Sequence, residues 1–458
     1  MTPASIRSQE SLGRVHFIGI GGVGMSAVAR IMAARGVPVS GSDAKDLPVM
    51  ADLATAGARI AVGYAASNLG DAQTVVAGSA IRADNPELVA AREAGLPVLH
   101  RSEALASTMG DDTVVTIAGT HGKSTTTSMI TVLLRGAGLD PSFAIGANVP
   151  ALGVNAAHGS SGIFVAEADE SDGSFLNYRP QIAVVTNVEP DHLDHYGTAE
   201  AVYESFDRFT ELLPADGVLI ACADDPGARA LAERTRARGN TRVVLYGTSD
   251  GADLVLHDDG PGKVDVSAPA GRYALELQVP GRHNALNAAA AVAVALELGV
   301  EPAAAARALS QFSGASRRFE LKGEAGGVRV FDDYAHHPTE VRAALTAARS
   351  VAGGHHVHVL FQPHLFSRTR EFAKEFADAL NLADTALVLD IYPAREDPIP
   401  GVTSQLIADH LGPGGQLVEP AEAVSALARA ARPGDIVLTV GAGDVTAFGP
   451  QIVQALGG

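Results

Sequence analysis

Two stretches of this chain repeat one local plan: an apolar run, a glycine-rich loop, then a helix-forming segment. The first is HFIGIGGVGMS at residues 16–26 and the second is TIAGTHGKSTTTSMI at residues 116–130. Such a loop needs a strand behind it and a helix in front, so that its backbone amides converge on one point. A chain carrying two of them is steered toward parallel sheets covered by helices.

The surrounding pattern agrees. In the first hundred residues RVHFIGI, VPVSGSD and TVVAGSAI read as strands, and GMSAVARIMAARG and NPELVAAREAG as helices. A second block starts near residue 112 with DDTVVTIAG and runs on through GIFVAEA, IAVVTNV, GVLIACA and RVVLYG. Between residues 251 and 280, DLVLH, KVDVSA and YALELQV predict a small antiparallel insert, followed by two helices, the second with Pro302 in its first turn. From Arg317 onward VRVFDDY, HVHVLFQ, TALVLDI and DIVLTVG alternate with three helical segments. A chain of 458 residues exceeds one ordinary core. The expectation is an α/β protein of three consecutive domains: 1–107 Rossmann-like, 108–314 P-loop ATPase-like, and 315–458 Rossmann-like.

The formal net charge of −18 argues against non-specific nucleic-acid binding, which needs Lys and Arg to meet phosphates. It leaves room for a small anionic ligand, because loop amides attract phosphate locally. The single cysteine, Cys222, sits in an apolar run and reads as packing. The N-terminus lacks an apolar signal core, and the alanine-rich run ALNAAAAVAVALELGV is interrupted by Asn287 and Glu297. A cytoplasmic protein without membrane insertion is expected.

In GIGGVG, Gly19, Gly21 and Gly24 satisfy G-x-G-x-x-G, with Gly22 between them. Asp43 ends the next strand and is placed to meet a ribose hydroxyl. The motif speaks for a diphosphate more firmly than for a nicotinamide. In GTHGKST the full P-loop pattern fails, because Ile117 stands five residues before Gly122. The remaining G-x-x-G-K-S keeps the chemistry: loop amides for phosphates, Lys123 for β/γ charge, and the Ser124 hydroxyl for Mg²⁺.

Two acidic runs follow strands that should end on the same rim. FVAEADESD carries Glu167, Asp169, Glu170 and Asp172; TNVEPDHLDH carries Glu189, Asp191, His192, Asp194 and His195. Carboxylates suit Mg²⁺, and the imidazoles admit Mn²⁺ as well.

Taken together, AGTHGKSTTT, AEADESD, TNVEPDHLDHY, GRHNALNAAAA, DDYAHHPTE and FQPHLFSRTR resemble, in order and over essentially the whole chain, the Mur ligase family of ATP-dependent amide-forming enzymes. Within it the chain is most similar to the alanine-adding branch. The resemblance implies that Gly119, Thr120, His121, Gly122, Lys123, Ser124 and Thr125 bind the ATP phosphates. It implies a first Mg²⁺ on Ser124 and Glu167 and a second on His192. Asn284 and Asn287 would lie near the adenine, and Arg317 or Arg318 would approach the nucleotide. Tyr334, His336 and His337 would line the amino-acid side, with His336 a candidate base. His364, Arg368 and Arg370 would contact the substrate's carboxylate or phosphates. The first loop would then grip the UDP of UDP-N-acetylmuramate, with Asp43 and Ser79 as secondary contacts, and L-alanine would be the acceptor.

Several later-acting relatives place a carbamylated lysine after the D-H-L-D segment. Here that stretch is GTAEAVYESFDRF, without lysine, which fits the alanine-adding branch and leaves more of the second metal to His192. A tripeptide-recycling ligase is the neighbouring alternative. An NAD-dependent dehydrogenase would explain the first loop alone. The pattern leaves open whether the chain works as a monomer or a homodimer.

Overall fold

The computed structural model describes residues 8–457 apart from 79, 250, 259–262, 270 and 395. Ser79 therefore lies outside the described residues, as does the side chain of Asp194.

Among the described residues, three sheets account for the strands. The first contains β1 (Val15–Ile18), β2 (Val39–Asp43), β3 (Arg59–Val62), β4 (Thr74–Ala77) and β5 (Val98–His100), all parallel, in the order β3-β2-β1-β4-β5. The chain winds outward from β1 through β2 and β3, then resumes with β4 on the other side. This reversal opens a crevice beyond the carboxyl ends of β1 and β4, where ligands of open α/β sheets bind. The first glycine loop follows β1 there.

The second sheet holds β6 (Thr113–Ala118), β7 (Ser142–Ala144), β8 (Ala156–Ala157), β9 (Ile163–Glu167), β10 (Ile182–Val185), β11 (Val218–Cys222), β12 (Arg242–Gly247), β13 (Leu254–Asp258), β14 (Lys263–Ala268) and β15 (Gly271–Glu276). Its order is β15-β14-β13-β12-β11-β10-β6-β9-β7-β8, so β6 lies between β9 and β10 at a second reversal. Strands β6, β9 and β10 are parallel and apolar nearly throughout, as sheets covered on both faces require. The three strands expected as a small antiparallel insert extend this sheet at its edge. β13 joins β12 in parallel through Tyr246–Leu254 and Gly247–Val255, an overlap short enough for a brief loop to reach.

The third sheet holds β16 (Glu320–Ala325), β17 (Val328–Asp333), β18 (Val357–Phe361), β19 (Thr385–Val388), β20 (Gly415–Leu417) and β21 (Ile436–Val440) in the order β16-β17-β21-β18-β19-β20. Only the β16–β17 pairing of this sheet is antiparallel among the described residues. Alternate residues serve opposite faces. Val359, Phe361 and Leu438 enter one core, while Leu360, Leu387 and Val437 enter the other. Helices therefore cover both faces, as the βα alternation predicts. The short strands β16 and β20 were not legible, because ELKGEA and GQL carry little apolar signal.

The first sheet and most of the second belong to one compact unit built on Met1–His257, Asp265–Glu276 and Leu286–Phe312. The other unit carries Asp258–Val264, Leu277–Ala285 and Ser313–Gly458, with the third sheet. Among the described residues, no helix is long and apolar enough to cross a membrane.

Candidate active site

The GTHGKST loop turns through two residues with positive φ, Gly119 at 136° and Gly122 at 82°. Glycine is required at Gly119 for a second reason: a Cβ there would collide with the Thr186 hydroxyl. Thr186 and Asn187, just past β10, hold the loop from beside it. Thr186 Oγ1 donates to the His121 carbonyl at 2.6 Å, and the His121 amide donates to Asn187 Oδ1 at 2.7 Å. The Thr120 hydroxyl donates to the Glu189 carbonyl and accepts from the Glu189 amide at 2.9 Å. His121 Nε2 also lies 3.4 Å from Glu189. Thr120 and His121 thus shape the cradle largely through contacts with the 186–189 segment.

The helix Lys123–Gly136 begins directly after Gly122. Lys123 Nζ folds back to donate to the Gly119 carbonyl at 2.7 Å and to the Thr120 carbonyl at 3.1 Å, and it donates to Glu170 at 2.9 Å. Burial alone would lower its pKa, but Glu170, Asp169 and Glu167 together raise it, so the amine stays charged. Burial pushes the Glu170 carboxyl the other way, up to about 7, against the pull of Lys123. Ser124 Oγ donates to Glu167 Oε1 at 2.9 Å, and the Gly146 amide donates to Glu167 Oε2 at 2.7 Å. Thr125 is buried in the helix's first turn, and Asn287 lies against Gly122.

His192 sits in the left-handed region, φ 54°, at the start of the short helix Leu193–Tyr196. That backbone brings its Nε2 to 3.7 Å from both Glu170 Oε1 and Asp191 Oδ2. A non-glycine residue held at positive φ beside a charged cluster is a reservoir of strain of the kind found at functional sites. His195 does not join this cluster; it is exposed and its ring meets Tyr196 edge-on.

The acidic run after β9 therefore splits by direction. Glu167 and Glu170 turn to the loop. Asp169 and Asp172 turn to the first sheet's side, where Arg101 Nη2 lies 3.5 Å from Asp169 and His100 Nε2 lies 3.6 Å from Asp172. Ser102 Oγ accepts from Asn177 Nδ2 at 2.7 Å nearby.

At the first loop, Gly19 has φ 81°, and the Gly21 amide donates to Asp43 Oδ2 at 3.0 Å. Asp43 also accepts from the Lys45 amide at 3.3 Å, so its carboxylate braces the loop. Gly22 caps the helix Val23–Ala34, and a Cβ on Gly24 would run into the Arg101 guanidinium.

In the third block, Tyr334 is met by two guanidiniums, Arg317 at 4.8 Å and Arg318 at 5.1 Å from the ring centre. Arg317 is committed to structure: it donates to Asp332 at 3.2 Å and to the carbonyls of Gly441 and Ala442. Asp333 accepts from the amides of Phe319 and Ala335, and burial raises its pKa to about 6. His336 Nδ1 lies 3.1 Å from the Tyr334 carbonyl. A carbonyl can only accept, so Nδ1 carries the hydrogen and Nε2 is the basic nitrogen. The His336 and His337 amides both donate to Glu340, which fixes the start of helix Pro338–Ala352. The His364 ring lies 5.9 Å from His336 and stacks on Tyr392 at 5.8 Å. Arg368 is buried and Arg370 exposed, because two residues apart on a helix point about 200° from each other. The structure thus separates a pair that the sequence grouped. Asn284 Nδ2 donates to the Pro280 carbonyl at 2.6 Å.

Sequence reasoning missed Thr186, Asn187, Gly146 and Arg101. The first two stood in a quoted motif, and the neighbouring position of β10 beside β6 would have found them. Gly146 acts through its amide and leaves no trace in side-chain chemistry. Arg101 follows β5 on the rim of the first crevice, a place the rule for ligands at carboxyl ends points to.

Comparison with known proteins gives the chain's relatives. Residues 14–113 match the Mur ligase family catalytic domain, 117–295 the Mur ligase middle domain, and 317–443 the Mur ligase glutamate ligase domain. The chain is 80% identical over 454 residues to UDP-N-acetylmuramate–L-alanine ligase of Paenarthrobacter aurescens, covering 99% of each. It is 66% identical over 448 residues to the enzyme of that name from Renibacterium salmoninarum, covering 97% of this chain and 96% of the other. Among solved structures, the UDP-N-acetylmuramate-alanine ligase of Thermotoga maritima superposes with a TM-score of 0.79 at 30% identity, over 96% of this chain and 98% of that one. A murein peptide ligase from Psychrobacter arcticus gives 0.71 at 27%, over 97% and 99%. With three successive domain matches and full-length relatives at this identity, the chain belongs to the Mur ligase family.

Proposed function

We propose that the chain joins L-alanine to the lactyl carboxylate of UDP-N-acetylmuramate, with cleavage of ATP to ADP and phosphate. This is a cytoplasmic step of peptidoglycan precursor synthesis, on which cell shape and division depend. The observation that carries the reading is the Lys123–Glu170–His192 cluster beside Ser124–Glu167, built where β6, β9 and β10 end, in a chain that resembles L-alanine ligases from end to end.

The chemistry explains the residues. A carboxylate resists attack by an amine, because its charge repels the nucleophile and oxide leaves poorly. Phosphorylation to an acyl phosphate removes both obstacles. The protein positions the reactants and offsets charge. The 119–125 amides cradle the phosphates and Lys123 moves from Glu170 to the β/γ oxygens. The hard oxygens of Ser124 and Glu167, 2.9 Å apart, fit Mg²⁺, and His192 would hold a second ion. When bound, these ions would neutralise phosphate and carboxylate charge. Asn287 and Asn284 are assigned to the adenine side and Arg318 to the nucleotide. Tyr334 and His337 are assigned to the acceptor, and His364, Arg368 and Arg370 to the substrate's carboxylate or phosphates, although Arg368 and Arg370 face different ways. His336, through Nε2, takes the proton that L-alanine's ammonium must lose before it attacks.

The first loop, Gly19 to Gly24 with Asp43 as brace, is assigned to the UDP diphosphate; residues 1–107 are assigned to the sugar nucleotide, 108–314 to ATP, and 315–458 to completing the ATP and amino-acid site. The test is phosphate release by purified protein with Mg-ATP and UDP-N-acetylmuramate across the L-amino acids and a recycling tripeptide. Release that needs the sugar nucleotide and peaks with L-alanine supports the reading. Release with the tripeptide alone would move the chain to the recycling branch.

A further inference from the structure

The first glycine loop has a charge problem. Residues 16–26 contain no lysine or arginine, and the loop's brace, Asp43, is itself an anion. Amides and a helix N-terminus supply partial charges, about half an elementary charge in all. A diphosphate brings about two negative charges, so a full cation is needed nearby.

Arg101 meets that need. It directly follows β5, and β5 and β1 flank β4 on the rim where the crevice opens. Its guanidinium packs on the bare Cα of Gly24: a Cβ there would come within 3.1 Å of Cζ and collide with Nη1. The third glycine of G-x-G-x-x-G is thus the seat of this cation as well as a helix-packing residue. Arg101 is one-third exposed, and its Asp169 contact of 3.5 Å is long for a charge-assisted bond. A guanidinium has five N–H donors, so one loose carboxylate leaves others for a phosphate.

We infer that Arg101 is a substrate-binding residue that contacts the diphosphate of the sugar nucleotide at the first glycine loop. Its partner Asp169 is 3.5 Å away. The inference rests on the reading that this loop holds UDP.

The experiment titrates full-length wild type, Arg101→Met and Arg101→Lys with UDP by calorimetry, with uridine by NMR, and with a non-hydrolysable ATP analogue. Arg101→Met should raise the Kd for UDP by roughly 10–100-fold, the range of a hydrogen bond to a charged group. Uridine and the ATP analogue should change by less than about threefold, since they make no such contact. Arg101→Lys keeps the charge and loses the fork, and should fall between wild type and Arg101→Met. Unchanged UDP affinity in both variants would overturn the inference, as would equal losses for UDP and uridine, which would mark a structural role. If wild type itself fails to bind UDP, the reading of the loop fails first and Arg101 with it.

Discussion

The two glycine loops begin alike and are completed in different ways. Each follows the first strand of its sheet and opens a helix at a reversal of strand order. The second carries its own cation, Lys123, and is gripped by the ends of two neighbouring strands, Thr186 and Asn187 from one side and Glu167 and Glu170 from the other. The first carries none and is braced by Asp43 and overlain by Arg101. A buried glutamate near each makes the contrast sharper. Glu87, beneath the first sheet's rim, accepts from His16, Ser42, Asn68 and the Ala65 amide. Burial alone would raise its pKa, yet these donors bring it below the usual value. Glu170 at the second loop is raised to about 7. The Glu87 carboxylate is satisfied by its donors, whereas burial of the Glu170 carboxyl outweighs the pull of Lys123.

If that contrast is right, the largest effect falls on the second loop. Lys123→Ala should cut turnover on the order of a thousandfold while UDP binding persists; near-normal turnover would remove the P-loop assignment. Next, His192→Ala and Glu167→Gln should each raise the Mg²⁺ concentration for half-maximal rate by roughly tenfold, and an unmoved metal titration would refute their ligand roles. Gly119→Ala should destabilise the fold by about 2 kcal/mol in thermal or urea unfolding, from positive φ and the Thr186 collision combined.

The smallest effect is a pair of opposite pH slopes. Glu170 binds its proton more tightly folded than unfolded, so its contribution is present below its ordinary pKa of 4.5 and is lost as pH rises toward about 7. Glu87 is the reverse: its contribution is present above 4.5 and is lost as pH falls through its lowered value. From pH 5 to pH 8, Glu170→Gln should gain in melting temperature relative to wild type. Glu87→Gln should lose most at neutral pH, with the loss shrinking in acid. Parallel slopes would contradict the contrast.

The fold was legible where strands were long and apolar and where loops carried glycine at fixed spacing. Weakly apolar edge strands such as β16 and β20 were not. At the site, Lys123 and Ser124 stand out because their side-chain types occupy fixed places in the loop motif, whereas Glu167 and His192 were singled out from the acidic runs only by the family resemblance. Glu170 was quoted among the acids, but nothing in AEADESD says which acid turns to the lysine; that depends on how the chain leaves β9. Arg101 and Gly146 act through position alone, and position comes from strand order, which a linear pattern does not display.

The central claim is that the two loops hold two ligands at once. The most direct measurement is a calorimetric titration of UDP-N-acetylmuramate into enzyme already saturated with Mg²⁺ and a non-hydrolysable ATP analogue. The account predicts binding at one sugar nucleotide per chain without displacement of the analogue. Competition between the two would contradict it.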